Sequence, residues 1–196
     1  MSSRLIVNSI RHTGASSDAI SLDSSGNVTC NGTATGFGGG KILQVVQVTK
    51  TDTASTTSNT YEDISGLSQA ITTVAGSKVF CMGSLYFGST PSYSTWFRLV
   101  RVDVDGSTNY PYLGDADGST TRASAGNYNS YYSYVAEYSA FHFLDTPSGA
   151  GLHTYKIQWL QGYSGYTSYL GRDKQGSTSA SRGRVPSSLT LIEVGA

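Results

Sequence analysis

The chain has 196 residues, of which 13 are Lys or Arg and 13 are Asp or Glu, so its formal net charge is zero. Charged residues make up 13% of the sequence, against about 25% in an ordinary soluble domain. This balance excludes the basic footprint of a nucleic-acid-binding protein and a polybasic membrane anchor. No apolar run approaches the roughly 18 residues that span a bilayer. We therefore expect neither nucleic acid nor membrane as a partner.

The residue types are typical of an all-β protein. Gly and Tyr are abundant, at 23 and 14 residues, and Ser and Thr are frequent. The residues that favour helices, such as Leu, Glu, Lys and Ala, are few. Cys30 and Cys81 lie far apart in a chain long enough to stabilise a core without a disulfide, so we expect two free thiols.

A run of glycines divides the chain. Gly36-Phe37-Gly38-Gly39-Gly40 is typical of a flexible connector. The predicted organisation is therefore an N-terminal arm (1–35), a connector (36–40) and a head domain (41–196).

The arm shows two weak strand patterns, at 4–10 and 18–23, and then a turn at 23–27 that leads into Val28-Thr29-Cys30. It holds too few aliphatic side chains for a core, and segments shorter than about 40 residues rarely fold without help. We therefore expect a short, extended, β-rich arm that docks on a partner surface. The candidate docking residues are Arg4, Ile6, Ile10, Ile20, Leu22 and Val28.

The head is predicted to consist of short antiparallel strands without helices, because apolar and polar residues alternate between clusters of Gly, Ser, Asn and Asp. The predicted strands are 42–49, 60–74, 78–87, 94–104, 108–113, 134–145, 153–161, 166–172 and 187–194. The strands differ in length and the connections at 88–93, 114–133 and 173–186 are long. This favours a two-sheet jelly-roll sandwich over a closed barrel.

Alternation also predicts which side chains share a strand face. The shared faces are Val79, Cys81, Gly83, Leu85 and Phe87; Trp96, Val100, Val102 and Val104; and Tyr155, Ile157 and Trp159. Large aromatic residues in strands most often fill a core or a subunit contact.

An ordered series of motifs resembles a known family. The motifs are GGKILQVVQ at 39–47, TKTDT at 49–53, FRLVR at 97–101, GDA at 114–116, FLDTP at 143–147, TYKIQ at 154–158 and LIEV at 191–194. Together they resemble the C-terminal head of tail-fibre-like virion proteins of tailed bacteriophages, of the marine and cyanophage type. The LDSSGNVT unit at 22–29 resembles the units that precede such heads. The resemblance implies a homotrimeric jelly roll similar in plan to the C1q and tumour-necrosis-factor modules.

The resemblance implies a non-enzymatic structural protein located in the virion, with further copies of itself and other virion proteins of the capsid, neck or tail as partners. The short segment before the head favours a capsid decoration, cement or neck appendage over a long adhesive fibre. Docking would use the arm.

An alternative is a host-attachment protein that binds cell-surface glycan through Tyr-rich loops. Tyr among Ser, Asn and Gly is also the composition of antibody binding loops. The candidate ligand-binding residues are Tyr128, Tyr131, Tyr132, Tyr134, Tyr163 and Tyr166. The same rings could instead line the trimer interface, and the sequence favours neither.

Two Asp-x-Asp-Gly-Ser-Thr segments begin at Asp103 and Asp115. Alternate carboxylates can ligate calcium, as Asp103 with Asp105 or Asp115 with Asp117 would. The spacing departs from the EF-hand template, and two hairpin turns explain the same residues. We expect turns, with no metal and no other cofactor.

Nothing else in the sequence marks an active site. His12, His142 and His153 are scattered without metal-ligand spacing, and we expect ordinary hydrogen-bonded side chains. No nucleophile elbow, reactive Cys context or marked carboxylate pair occurs. We therefore expect no enzyme activity.

One local charge bias lies near the C-terminus, where basic residues occur among Ser and Gly. The residues are Arg172, Lys174, Arg182 and Arg184. They predict a solvated loop or a docking contact with an acidic surface, to which Arg supplies bidentate bonds.

Overall fold

A computed structural model describes residues 6–31, 41–89, 93–128, 132, 134–176 and 178–196. Arg4, Tyr131 and the connector 36–40 lie outside the described residues. All regular elements in the described ranges are β-strands, so none of them is a helix that could cross a membrane. The chain divides into two compact units, Met1–Gly40 and Lys41–Ala196.

The first unit contains a small antiparallel sheet in the order β1-β2-β3. Its strands are β1 (Ser9–Ile10), β2 (Ile20–Leu22) and β3 (Val28–Cys30). Strands β1 and β2 are shorter than the two predicted strands, and β3 follows the predicted turn. Asp23 forms the turn between β2 and β3: its carboxylate accepts hydrogen bonds from the backbone N–H groups of Ser25 and Asn27, both at 2.9 Å. Every residue of β3 is exposed, so this sheet has no core of its own.

The second unit contains the remaining strands. They are β4 (Ile42–Lys50), β5 (Ala54–Thr56), β6 (Glu62–Thr73), β7 (Lys78–Ser89), β8 (Ser94–Val102), β9 (Thr108–Asn109), β10 (Ala125–Tyr128), β11 (Glu137–Asp145), β12 (Gly151–Gln161), β13 (Ser168–Leu170) and β14 (Ser187–Val194).

These strands form an antiparallel jelly-roll sandwich, which confirms the predicted all-β fold. The five-stranded sheet has the order β10-β8-β12-β6, with β9 paired to β8. The six-stranded sheet has the order β4-β14-β7-β13-β5, with β11 on the other side of β7. The chain crosses between the sheets from β6 to β7 to β8 and again from β10 to β11 to β12, as a jelly roll requires.

The core lies between the two sheets and is built from alternate residues of the long strands. Its largest fully buried side chains include Phe87, Phe97, Tyr155 and Trp159. Phe97 packs edge-on against Phe87, with ring centroids 5.1 Å apart, and is stacked with Trp159 at 6.4 Å. The predicted faces of β7 and β12 therefore point into the core. Cys81 is buried and Cys30 is exposed, and both are free thiols as predicted.

Trp96, Val100 and Val102 share one face of β8, but it is the face turned away from the core. Phe97 and Leu99 point into the core, whereas on the opposite face Val100 is buried and Trp96 and Val102 are half-buried; Val104, beyond the strand end, is 60% exposed. Apolar residues occupy both faces of this strand, so alternation alone did not identify the inner one.

Several predicted strand limits also differ. The strand predicted at 108–113 ends at Asn109, ahead of Pro111, which has no N–H to donate to a ladder. The strand predicted from 134 begins at Glu137, and β10 lies inside the predicted connection 114–133. Strand β5 was not predicted.

We expect the head to fold without the arm. Every residue of the hydrophobic core lies between Val46 and Leu191. Deleting residues 1–40 should therefore shift the thermal midpoint of the head by no more than about 4 °C, the effect of about 1 kcal/mol in a domain of this size. Thermal unfolding followed by circular dichroism measures the shift. An insoluble truncated chain, or one with a far lower midpoint, would place part of the fold in the arm.

Candidate functional site

Most of the predicted tyrosines lie at one end of the sandwich. Tyr128, the last residue of β10, pairs with Ser94 at the start of β8, and Gln161 at the end of β12 pairs with Thr95. Strand β4 begins at the opposite end, where Ile42 pairs with Val194 near the C-terminus. The tyrosine-bearing end is therefore opposite to the end at which the chain enters the head.

Three tyrosines form a cluster at this end. The rings of Tyr93 and Tyr166 are stacked with centroids 3.7 Å apart, and the Tyr93 hydroxyl donates to the Tyr166 hydroxyl at 2.7 Å. This hydrogen bond raises the pKa of Tyr93. Tyr163 contacts Tyr93 with centroids at 5.0 Å and is 48% exposed. The cluster therefore presents preorganised aromatic surface to solvent.

A buried polar layer lies below these loops. The Gln161 amide donates to the hydroxyls of Ser89 and Ser168, at 2.9 and 3.2 Å. The hydroxyls of Thr95 and Ser168 are 2.6 Å apart. Buried networks of this kind fix a single local arrangement. The free-energy cost of leaving a buried polar group without a hydrogen bond is larger than the net stabilisation that the bond provides.

A second group of rings includes Tyr132 and Tyr134, whose centroids are 5.3 Å apart. Arg182 lies over the Tyr134 ring at 5.3 Å and pairs with Asp173 at 2.9 Å. Burial raises the pKa of Asp173, but hydrogen bonds from the Gly176 N–H and Arg182 outweigh it and hold that pKa low. The Arg182 side chain is thus held at this end of the head by Tyr134 and Asp173 and does not project towards an outside partner.

Four of the six candidate tyrosines have exposed rings, and Tyr131 lies outside the described residues. Tyr128, Tyr132, Tyr134 and Tyr163 are each about half exposed, and Tyr166 is half-buried. Sequence reasoning missed Tyr93, which organises the first cluster. Its position directly before a predicted strand, beside a loop from the same end of the sandwich, was the available signal.

A buried charge cluster lies at the other end of the core and was not predicted. The Arg101 guanidinium donates to both carboxylate oxygens of Asp103, at 2.7 and 3.0 Å, and to Asp145 at 2.5 Å. The Tyr155 hydroxyl also donates to Asp145, at 2.8 Å. His153 is fully buried, with Nδ1 2.6 Å from Asp103. No member is open to a ligand, so the cluster is structural.

The candidate calcium residues are used in turns and in this cluster. Both Asp103 oxygens are bonded to Arg101, and Asp105 accepts a hydrogen bond from the Ser107 backbone at 2.9 Å. The carbonyl of Asp117 accepts from the Thr120 backbone, also at 2.9 Å. Within the described ranges, no group of three or more His, Cys, Asp or Glu side chains is placed to hold a metal ion.

The outer faces of the two sheets differ sharply. On the six-stranded sheet, Val45, Ile192, Phe80 and Leu144 are cross-strand neighbours in one row across β4, β14, β7 and β11. Val45 is 57% exposed and Leu144 is 45% exposed. We call this set the apolar row; neighbouring Met82, on β7, is 44% exposed.

The outer face of the five-stranded sheet carries a hydrogen-bonded polar group beside apolar residues such as Leu152. Asp63 accepts from Lys156 at 2.7 Å and from Gln158 at 2.6 Å, and Gln158 accepts from Arg98 at 2.7 Å. These bonds join the three neighbouring strands β6, β12 and β8 across the face.

No protein-family model and no curated protein matches the chain. Among solved structures, the chain is similar to one in a structure of infectious bursal disease virus, Gx strain, at 13% sequence identity and a TM-score of 0.36. The matched region covers 95% of this chain and 45% of that chain. The present chain thus spans less than half the length of that relative.

Proposed function

We propose that the protein is a non-enzymatic structural protein of a tailed-phage virion, a surface appendage whose heads form a homotrimer through the outer face of the six-stranded sheet. The apolar row carries this proposal. The sequence resemblance to tail-fibre-like virion proteins supports the setting and the number of copies.

The apolar row is unusual for a surface that meets only water. Four adjacent strands, spaced about 4.8 Å apart, present large apolar side chains at the same level. Contiguous exposed patches of this kind mark interaction surfaces. On the five-stranded sheet, by contrast, a hydrogen-bonded polar group spans three strands of the outer face. Closed rotational symmetry is the common way to bury one such patch in several identical copies.

The first unit supports docking of the arm on another virion component. Ile6, Ile10 and Val28 are 79%, 51% and 63% exposed, while Ile20 and Leu22 are half-buried in the small sheet. Apolar side chains on a sheet without a core gain stability only when a partner covers them. The docking partner would be a capsid, neck or tail protein.

Val45→Glu is expected to convert the trimer to monomers. A carboxylate in a buried apolar interface loses its hydration without gaining a cation. Light scattering should give three times the 20.7 kDa chain mass for the natural protein and one times that mass for the variant. The matched control is Leu152→Glu, because Leu152 is 54% exposed on the other sheet; it should remain trimeric. A natural protein that is monomeric at micromolar concentration contradicts the proposal.

A second candidate function is attachment to host glycan through the tyrosine-bearing end, and the preorganised Tyr93, Tyr163 and Tyr166 cluster favours it. Tyr rings supply rigid contact area at low entropic cost. The cluster is held on the buried polar layer, and loops on a rigid scaffold commonly carry recognition.

Tyr163→Ala combined with Tyr166→Ala tests this second function. We expect binding to an immobilised panel of bacterial surface polysaccharides to fall at least about tenfold, while the free energy of unfolding changes by less than about 1 kcal/mol. Val104→Ala, at the opposite end and 60% exposed, is the control and should bind normally. Unchanged binding, or failure of the double variant to trimerise, would assign the rings to another role.

A further inference from the structure

Arg98 on the outer face of the five-stranded sheet is held in one orientation by two aromatic rings. Its guanidinium carbon lies 4.1 Å from the centroid of Tyr61 and 4.3 Å from that of Tyr110. Its Nε donates to the Gln158 amide oxygen at 2.7 Å. Stacking between two rings fixes the plane of the guanidinium, so little side-chain freedom remains to be lost when a ligand binds.

Among the described residues, the Arg98 side chain takes part in no ion pair, and its one side-chain hydrogen bond is to Gln158. Its positive charge acts at longer range on the nearby carboxylate of Asp63, whose pKa it helps to lower. Burial raises the pKa of Tyr61 to about 12, so this ring supplies no negative charge. The Nη groups therefore offer a planar fork of donors, the geometry that matches a carboxylate.

A pocket of about 530 Å³ lies on the same face, lined by residues of β6 and β12 and by Val102, four residues beyond Arg98 on β8. Its polar lining consists of Asp63, Ser65, Ser68, Thr154 and Lys156. The pocket exists because β6 bulges between Asp63 and Ser68, where the pairing with β12 shifts register. Gly66 in the bulge has a φ of +86°, which residues with a Cβ rarely adopt.

The pocket and Arg98 belong to one connected polar surface. Asp63 at the pocket accepts from the Gln158 amide at 2.6 Å, and the carbonyl oxygen of that amide accepts from Arg98. Arg98, Gln158 and Asp63 are cross-strand neighbours. Arg98 and Asp63 are two strand spacings apart, so their backbones are separated by about 10 Å. This is about the length of two sugar rings of about 5 Å each.

We propose that this surface binds an acidic oligosaccharide, with a carboxylate on the fork of Arg98 and hydroxyl groups of the neighbouring sugar in the pocket at the β6 bulge. The pocket volume lies within the roughly 300 to 1,000 Å³ of small-molecule sites. Hydroxyl, carboxylate and ammonium groups together offer donors and acceptors to a polyhydroxylated ligand. A pocket of this kind suits a sugar ring better than an acidic protein side chain.

Titration calorimetry with trigalacturonate tests the proposal, and fully methyl-esterified trigalacturonate is the matched neutral probe. The natural protein should bind the acid at least about tenfold more tightly than the ester, because charge-assisted bonds to Arg need the carboxylate. Arg98→Gln should remove this difference. Arg98→Lys should keep less than half of the difference in binding free energy, because Lys lacks the planar fork.

Two further variants separate the site from general charge and from the pocket. Arg184→Gln removes the same charge from an exposed loop residue and should leave the affinity within about twofold, since distant exposed charges are screened. Thr154→Val should weaken the binding of both probes, because it replaces a hydroxyl group of the pocket with a methyl group of nearly equal volume. Thermal unfolding confirms that each variant is folded.

Several results would overturn the proposal. The first is the absence of measurable binding at millimolar trigalacturonate, and the second is equal affinity for the acid and the ester. The third is a loss of affinity in Arg184→Gln as large as that in Arg98→Gln. Acetate or inorganic phosphate binding as tightly as trigalacturonate would identify a simple anion site. An Asp-rich peptide binding more tightly would identify a protein partner. The site lies on the sheet that the proposed trimer leaves uncovered, so mass measurements judge the trimer independently of these titrations.

Discussion

Replacing Arg101 with methionine is expected to lower the free energy of unfolding of the head by about 3 to 5 kcal/mol, the usual effect of removing one partner from a buried ion pair. Arg101, Asp103 and Asp145 are each at least 93% buried. One guanidinium bonds both carboxylates, and without it two negative charges remain in the core. Chemical denaturation at pH 7 measures the loss.

The loss should depend on pH in a defined direction. Burial raises the pKa of Asp103, but hydrogen bonds from Arg101 and His153 outweigh it and hold that pKa below its ordinary value of 3.8. In the natural protein this carboxylate therefore contributes stability that is present above pH 3.8 and is lost as the pH falls through the folded pKa. In Arg101→Met, burial is no longer opposed by the cation. The deficit of the variant should therefore shrink as the pH falls towards 4.

Lys156→Met is the matched control for Arg101→Met. Lys156 also pairs with an Asp, at 2.7 Å, but the two side chains are 25% and 50% exposed. Exposed pairs contribute less than about 1 kcal/mol, so this variant should be nearly as stable as the natural protein. Adding Asp103→Asn and Asp145→Asn to Arg101→Met should recover part of the loss. Equal losses for Arg101→Met and Lys156→Met would contradict a buried, mutually dependent cluster.

The long strands could be predicted from the sequence because one face of each is buried. Strands β4, β7 and β14 lie within two residues of their predicted limits at each end. Their alternating apolar residues are the direct consequence of packing one face of a sheet against the core. Strands β5 and β10 were not predicted because they are short and contain Ala, Ser, Thr, Gly, Asn and Tyr in place of alternating apolar residues. These two strands form only through pairing with strands that are remote in the sequence, β5 with β13 and β10 with β8.

The arrangement of charges could not be predicted for a related reason. Arg101 and Asp103 continue the inward face of β8, and alternation assigns charged residues to the outside. Their position is stabilised by Asp145 and His153, which lie 42 and 50 residues beyond Asp103. The two rings that contact the Arg98 guanidinium likewise come from separate loops, Tyr61 before Arg98 in the sequence and Tyr110 after it. Such partners become neighbours only when the sheets form.

The sequence did place Gly83 on the inner face of β7, but the ring that covers it comes from another strand. Gly83 lies directly opposite Phe141 on β11, and Phe141 is 4% exposed. A Cβ built on Gly83 overlaps the Phe141 ring. The missing side chain at this position is therefore the space that the ring fills, which explains a glycine in the centre of a long core strand.

Gly83→Val is accordingly expected to lower the free energy of unfolding by about 3 kcal/mol, the upper part of the usual range for overpacking a core. The Phe141 ring would have to move within the core, where Val79, Cys81 and Leu85 on the same face of β7 are fully buried. Chemical denaturation of the head measures the effect. Ala70→Val is the control: Ala70 is exposed on β6, so the added methyl groups should change stability by less than about 0.5 kcal/mol.

The double variant Gly83→Val with Phe141→Ala decides whether this overlap is the cause. Phe141→Ala alone should cost about 3 to 5 kcal/mol through the cavity that it leaves. Valine at 83 would fill part of that cavity, so the double variant should be more stable than the sum of the two losses predicts, by at least about 1 kcal/mol. Additive losses would show that glycine is required at position 83 for its backbone conformation and not for the space that it leaves for the Phe141 ring. A coupling of the expected sign would assign the glycine to the packing of β11 on β7, the contact that joins the outer strand of the apolar row to the rest of the six-stranded sheet.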